Sequence, residues 1–285
     1  KRRVRALVGE GCDNSLITTY HGFCVRVLRE DIHRLLYPQS FGILDESDQK
    51  KILEEIYGEL EIKLDRATFE KILDRIHKIK SDENYVMPLI QGDVQAVQVQ
   101  GDDTEQEVIR RYLARQKKVF GLDFDDLIAF TFALFERYPE TRDKWAQRLY
   151  YIEVDEFQDS SRRELRLLQI LSAAHQNLFV VGDPDQNIYE WRGADVSILV
   201  KFDEQFPGAQ TIFLNRNYRS SANILRVANT LIDHNQNRIK KSLYTTDPNG
   251  EAVIHCHAKS EREEGAFLTG EIVKLHKNGT DYKDM

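Results

Sequence analysis

Seven side chains stand out by type and place: Asp155, Glu156, Gln158, Asp183, Gln186, Tyr218 and Arg219 each follow closely on a short apolar run. Carboxylates beside amides and a guanidinium are the donor set for a polyphosphate held with a hard cation, because a divalent metal prefers carboxylate oxygens and arginine spreads positive charge over phosphoryl oxygens. Asp155 is the candidate metal ligand, directly or through water. Gln186 has the amide to sense a terminal phosphate, and Arg219 the charge to stabilise a phosphoryl-transfer transition state. In isolation, Asp155-Glu156 is more readily a strand end capped by solvated acids, and Tyr218 equally a core aromatic. A second set is aromatic. Trp191 is flanked by Tyr189 and Arg192, and an aromatic displayed beside a guanidinium suits base stacking and backbone contact with single-stranded nucleic acid, although tryptophan in general is more often core.

The elements that must position these residues share one grammar: a β-type run, an abrupt switch to polar residues, then a helical pattern. The runs are Leu16 to Tyr20 before His21-Gly22, Tyr150 to Val154 before Asp155-Glu156-Phe157-Gln158-Asp159, Leu178 to Val181 before Gly182-Asp183-Pro184-Asp185-Gln186, and Thr211 to Leu214 before Asn215 to Ser221. Strands alternating with helices predict a parallel sheet, and ligands bind outside the carboxyl ends of such strands. All four polar clusters are then expected on one rim. Between the first two runs, residues 45–118 read as a helical insertion, opened by caps at Asp45, Glu46 and Asp48 and closed by a helix from Asp102 to Lys118. Asn217 and Ser220-Ser221 read as caps of the helix that follows them. The basic run Lys1 to Arg5 reads as the end of a helix stopped at Gly9, and Glu261 to His276 as a helix stopped at Asn278-Gly279. His255-Cys256-His257 invites a metal reading, but strand alternation parts the cysteine from the histidines, and Ala252 to Ala258 is expected to be an ordinary strand.

Composition narrows the classes. With 285 residues, 41% hydrophobic and 31% charged, the chain has the profile of a globular protein rather than a disordered or collagenous one. Charges interrupt every apolar run short of the ~20 residues a bilayer span needs, so a cytoplasmic protein is expected. Cys12, Cys24 and Cys256 are too far apart for a zinc knuckle or a disulfide framework. A net charge of -7 argues against a general coat for nucleic acid while leaving room for a local basic groove.

Val154-Asp155-Glu156-Phe157-Gln158-Asp159 resembles the Walker B motif of the UvrD/PcrA/Rep group of superfamily 1 DNA helicases. Val181 to Ala194, containing Asp183-Pro184-Asp185-Gln186-Asn187-Ile188-Tyr189-Glu190-Trp191-Arg192-Gly193, is similar to that group's next motif, and Leu214 to Ser220 to the one after it. Thr18-Thr19-Tyr20-His21-Gly22-Phe23 resembles an earlier DNA-contacting motif, and Leu122-Asp123-Phe124-Asp125-Asp126-Leu127 the segment preceding Walker B. Order and spacing agree along nearly the whole chain.

The resemblance implies a RecA-like α/β fold of the P-loop NTPase class with an α-helical insertion, ATP and Mg2+ as cofactors, and single-stranded DNA and its junctions with duplex as partners. It implies that Glu156 orients or deprotonates the attacking water, that Tyr218 stacks on adenine with Gln158 and Asp183 also at the nucleotide, and that Thr19, Tyr20 and His21 contact the DNA strand that Trp191, Tyr189 and Arg192 face. His21 is equally readable as a structural histidine, and Arg26 and Arg29 as a solvated helix face. The implied activity is ATP-driven, 3′-to-5′ movement on single-stranded DNA with duplex unwinding, in DNA repair or replication in a bacterial cytosol. Two departures qualify this. The G-x-x-x-x-G-K-[ST] phosphate loop is absent, since no Gly-Lys pair occurs, and the later motifs of the second RecA-like domain are not present. The expectation is therefore an internal fragment: residues 1–44 and 119–213 as two parts of a first RecA-like domain, 45–118 as the insertion, and 214–285 as the opening of a second, with little ATP turnover of its own. The helicase part of a recombinational helicase-nuclease and a non-catalytic DNA-binding or interaction module remain the alternatives.

Overall fold

The computed structural model describes residues 2–63, 65–235 and 238–285; Lys1, which opens the basic run, lies outside the described residues. The chain divides into two compact units, Lys1–Leu199 and Val200–Met285. In order, the first contains α1 (Arg2–Val8), α2 (Tyr20–Asp31), β1 (Gly42–Ile43), α3 (Glu46–Glu59), α4 (Arg66–Lys80), α5 (Val86–Gln91), α6 (Asp103–Lys118), β2 (Gly121–Leu122), α7 (Phe124–Arg137), α8 (Pro139–Arg148), β3 (Ile152–Val154), α9 (Arg162–Ser172), β4 (Leu178–Val180) and, at its end, α10 (Ser197–Val200). The second contains α11 (Phe202–Gln205), α12 (Ala222–Ile232) and α13 (Glu261–Lys277).

Local chemistry starts most of these helices. Asp45 with Asp48, Asp102 with Glu105, Asp123 with Asp126 and Ser161 with Glu164 form reciprocal capping boxes at α3, α6, α7 and α9, each satisfying two backbone donors that the first turn leaves orphaned. The expected basic helix is α1, ended at Gly9 with φ +74. The expected last helix is α13, ended at Asn278 and Gly279, the latter at φ +97.

The core of the first unit forms around α7, which is apolar on every side and buried from Asp126 to Phe135. It packs against α2, α4, α5 and α8, and its Leu127, Phe130 and Leu134 share one cluster with Phe23, Val27 and Leu28 of α2. The helices α3 to α6 lie between β1 and β2, which pair in parallel with Gly42 opposite Gly121 and Ile43 opposite Leu122. A Cβ at Gly121 would come within 2.7 Å of the Leu44 side chain, which would have to shift to admit one. At the same root Lys80 is fully buried, its Nζ donating to Asp123 at 2.5 Å and to Asp126 and Gln116 at 2.8 Å.

Parallel pairing of β3 with β4 agrees with the α/β expectation, with Ile152, Glu153 and Val154 opposite Leu178, Phe179 and Val180. A full sheet is not formed: among the described residues there are two separate two-stranded sheets. Leu16 to Thr19 has no ladder partner, and Tyr20 instead begins α2 with Thr19 as its cap. Thr211 to Leu214 is unpaired, with Ile212, Phe213 and Leu214 exposed, and the nearest pairing is an isolated bridge between Arg216 and Tyr244. Ala252 to Ala258 is likewise not a strand. A β-type sequence becomes a strand only where a neighbouring chain accepts and donates along its edge. In the second unit Leu225 is the one buried hydrophobic residue among those described, and Leu268, Ile272, Val273 and Leu275 of α13 are exposed.

Candidate functional site

The site is built where β3 and β4 end side by side. The ladder continues past the strands: Val181 N donates to Val154 O at 2.8 Å, and Phe157 N to Val181 O at 2.9 Å. This brings Asp155-Glu156 and Gly182-Asp183 to one edge. Asp155 is exposed, and its Oδ1 accepts the Glu156 amide at 2.9 Å. Glu156 takes the left-handed conformation, φ 51 and ψ 42, which costs a residue with a side chain on the order of 1 kcal/mol and is retained only where neighbours impose it. It opens a 3-10 turn, Phe157–Asp159. Burial and then the Glu156 charge push the Asp159 carboxyl above its ordinary value.

Gln158 ties the Glu156 side chain to the second loop. It is buried, and both ends of its amide are used: Nε2 donates to Glu156 Oε2 at 2.8 Å, while Oε1 accepts from Asp183 N at 3.0 Å. Its carbonyl accepts from Asn187 Nδ2 at 2.6 Å. Asp183 in turn caps its own turn, Oδ1 accepting from Asp185 N at 2.9 Å and Oδ2 from Gln186 Nε2 at 2.8 Å. A Cβ on Gly182 would lie 2.8 Å from Gln158 Oε1, so the approach of the two loops requires glycine. Glu156, Gln158, Asp183 and Gln186 are thus one hydrogen-bonded frame, with Asp155 beside it.

The aromatic set continues from this frame. Trp191 is 75% exposed, and the Arg192 guanidinium lies 4.6 Å from its ring centroid and 5.3 Å from that of Tyr189. Thr19 caps α2 by accepting from Gly22 N at 3.1 Å. Tyr20 turns inward, its hydroxyl 3.1 Å from Ser160 Oγ, and burial raises its pKa to about 12. His21 rests edge-on against Phe124 at 5.4 Å, and burial lowers its pKa, leaving the ring neutral at pH 7.

In the second unit Asn217 Oδ1 accepts from Arg219 N at 2.9 Å and Ser220 N at 2.7 Å, which fixes the turn displaying Tyr218 and Arg219. Tyr218 is 75% exposed, with the Arg216 guanidinium 4.7 Å from its ring centroid, so it is not a core aromatic. Ser221 occupies the cap position of α12 without a side-chain bond, so Asn217 orders the preceding turn rather than the helix.

Residues 1–207 match the profile of the UvrD/REP helicase N-terminal domain, and residues 212–285 that of the UvrD-like helicase C-terminal domain. The chain belongs to the UvrD/REP helicase family. The ATP-dependent DNA helicase PcrA of Staphylococcus epidermidis is 37% identical over 288 residues, covering 100% of this chain and 38% of that protein; PcrA of Staphylococcus aureus is 36% identical with the same coverage. This chain of the helicase family therefore spans about 38% of the length of the curated relatives it matches.

For a family member, the fit to Mg2+ rests on the donor set. No group of three or more His, Cys, Asp or Glu among the described residues is arranged to hold a metal alone. Asp155 offers an exposed carboxylate, and Mg2+ is commonly held by one or two carboxylates, waters and the phosphates themselves. The residues fit a nucleotide-borne ion. Two participants escaped the sequence reading: Ser160, which only the fold brings to Tyr20, and Asn187, which ties the second loop to Gln158. The D-x-x-D spacing of Asp123 and Asp126 signals the cap they form, but not their burial with Lys80.

Proposed function

We propose that these residues serve an ATP-dependent DNA helicase that couples hydrolysis to 3′-to-5′ movement on single-stranded DNA and to unwinding at junctions with duplex, within the cytoplasm. The observation that supports it most is the frame Glu156–Gln158–Asp183–Gln186. One buried amide ties the acid that would act on water to the loop carrying the amide that would read the terminal phosphate, and that loop runs on to an exposed, guanidinium-backed tryptophan. A phosphoryl-transfer site linked covalently and by hydrogen bonds to a base-stacking platform is what a DNA-driven ATPase needs.

Asp155 would hold Mg2+, which when bound neutralises charge on the phosphates. Glu156 accepts the proton of the attacking water and orients it, with its carboxylate steadied at Oε2 by Gln158. Gln158 and Asp183 serve the nucleotide through this frame, Asp183 by holding the Gln186 amide. Arg219 supplies delocalised positive charge to the transferred phosphoryl group and Tyr218 an exposed ring for adenine. Trp191, Tyr189 and Arg192 stack on bases, and Thr19 and His21 line the same strand, with the Tyr20 hydroxyl turned inward between them. The test is ATP hydrolysis by the natural protein carrying these residues, with and without single-stranded DNA, beside Glu156→Gln. Strong DNA stimulation that disappears in the variant is expected; equal turnover in both proteins refutes the role of Glu156, and no response to DNA refutes the helicase reading.

A further inference from the structure

Ser160 is buried at a point where three segments meet. Its hydroxyl is 3.1 Å from the Tyr20 hydroxyl at the first turn of α2, its carbonyl accepts from Asp195 N at 3.1 Å, and its amide donates to Phe157 O at 3.1 Å. Next to it Ser161 bridges Ala194, three residues beyond Trp191. On the other side one 3-10 turn, Phe157–Asp159, separates Ser160 from Glu156, and both flank that turn directly. The turn is only three residues long and its own bonds join its ends, Asp159 N donating to Glu156 O at 3.0 Å and Ser160 N to Phe157 O at 3.1 Å, so a displacement at Ser160 is felt at Glu156. The receiving end is the residue in the left-handed conformation, the one place in the loop where backbone energy is already raised.

Resting on the proposed function, we infer that the Tyr20–Ser160 hydrogen bond is a positioning link through which single-stranded DNA at the start of α2 sets the backbone of Glu156. Tyr20 therefore acts less as a surface contact than as a tie: its ring is mostly buried and its hydroxyl faces protein. DNA seated on Thr19 and His21 moves the first turn of α2, Tyr20 carries that movement to Ser160, and the turn passes it to Glu156. The same serine, through Asp195 and the Ser161–Ala194 bridge, senses the Trp191 loop, so two contacts with one strand converge on one acid.

The experiment uses the natural protein carrying this chain, with Ser160→Ala, Tyr20→Phe, the double variant and Ser160→Thr. ATP turnover is measured without DNA and with saturating oligothymidylate, and the affinity for the same oligonucleotide by fluorescence anisotropy. Ser160→Ala is expected to keep its DNA-free turnover and its KM for ATP while its DNA-stimulated kcat falls about fivefold, the effect of one lost hydrogen bond. Tyr20→Phe should lose the same stimulation, the double variant no more than either single one, and Ser160→Thr, which keeps a hydroxyl, should recover most of it. Stimulation within twofold of the unaltered protein in both single variants overturns the link. So do losses that multiply in the double variant, or losses matched by an equal fall in DNA affinity. If the unaltered protein shows no DNA stimulation, the helicase reading itself falls and the link falls with it.

Discussion

Replacing Lys80 by methionine should destabilise the first unit by about 3–5 kcal/mol, because it leaves two buried carboxylates without their counter-charge. The ammonium is fully buried and makes three bonds of 2.5–2.8 Å, to Asp123, Asp126 and Gln116. Charge-assisted bonds contribute about 1.5–3 kcal/mol each, and the gross loss is offset in part because methionine no longer carries the cost of burying a cation. The remaining donors are all uncharged: Tyr85 donates to Asp126 Oδ1 at 2.6 Å, Gln49 to Asp123 Oδ2 at 2.8 Å, Gln116 to Asp126, and the Asp123 and Asp126 amides to each other's carboxylates. Burial pulls the Lys80 ammonium down, but Asp123 and Asp126 together outweigh it and keep it charged. Burial first, then the Asp123 charge, holds the Asp126 carboxyl well above its usual range. A raised carboxyl contributes stability that is complete below its unfolded value and is lost as pH rises through the raised one. The Lys80→Met deficit should therefore shrink on acidification from about pH 8 to about pH 5, as Asp126 takes up a proton. Urea denaturation followed by circular dichroism measures both quantities. A deficit under about 1 kcal/mol, the range of an exposed pair, refutes the reasoning, as does a deficit that ignores pH.

Three further outcomes are expected. The 285-residue chain alone should show no steady ATP turnover in a coupled assay, since it has no Gly-Lys phosphate loop to cradle the β- and γ-phosphates; sustained hydrolysis would require another phosphate cradle. Trp191→Ala should weaken oligothymidylate binding about 5- to 150-fold, the loss of about 1–3 kcal/mol of stacking, with an unchanged melting temperature because the ring is 75% exposed; anisotropy and calorimetry separate the two. His77 Nδ1 lies 2.7 Å from Asp125 Oδ2, and that bond raises its pKa despite partial burial, so its support for folding is complete below about pH 6.5 and lost as pH rises through the raised value. His77→Asn should flatten that pH dependence, and imidazole NMR titration of the unaltered chain should show a midpoint above the ordinary histidine value.

Features governed by neighbours in sequence were legible from the residues. Asp45 with Asp48 announces α3 because a capping box closes within four residues, and Gly9 and Gly279 mark helix ends because they supply positive φ. β3 and β4 were legible because each apolar run ends abruptly in acids, and the two runs find each other. Thr211 to Leu214 carries the same β-type composition without a partner strand, and nothing in those four residues distinguishes the cases. The acid loop and the Gln186 loop were readable as motifs, but not the way they are joined. Gln158 reads as one more polar residue near a nucleotide until the fold buries it between Glu156 and Asp183. Ser160 meets a tyrosine 140 positions away. Nothing in the sequence around Lys80 signals its burial, since lysine is usually exposed, and only the return of α7 to the end of α4 surrounds it with acids.

Glu156 explains why so many of these contacts converge on a few residues. A carboxylate that must act on a water beside phosphates has to stand clear of the strand that carries it, and the left-handed turn at φ 51 does that immediately after the exposed Asp155. Left to itself the backbone would favour the right-handed or extended regions, which lie lower in energy for a residue with a Cβ. The restraints are the Phe157 N–Val181 O bond on one side, the 3-10 turn on the other, and the Gln158 amide across the top. All three act through the Phe157–Asp159 turn, which is bonded to Val181 at its first residue and ends at Ser160 against Tyr20. An acid held in a raised conformation by one short turn can be repositioned by a shift at either end of that turn. An acid on a regular strand end could not, and this is the physical basis for expecting its activity to depend on what binds elsewhere on the first unit.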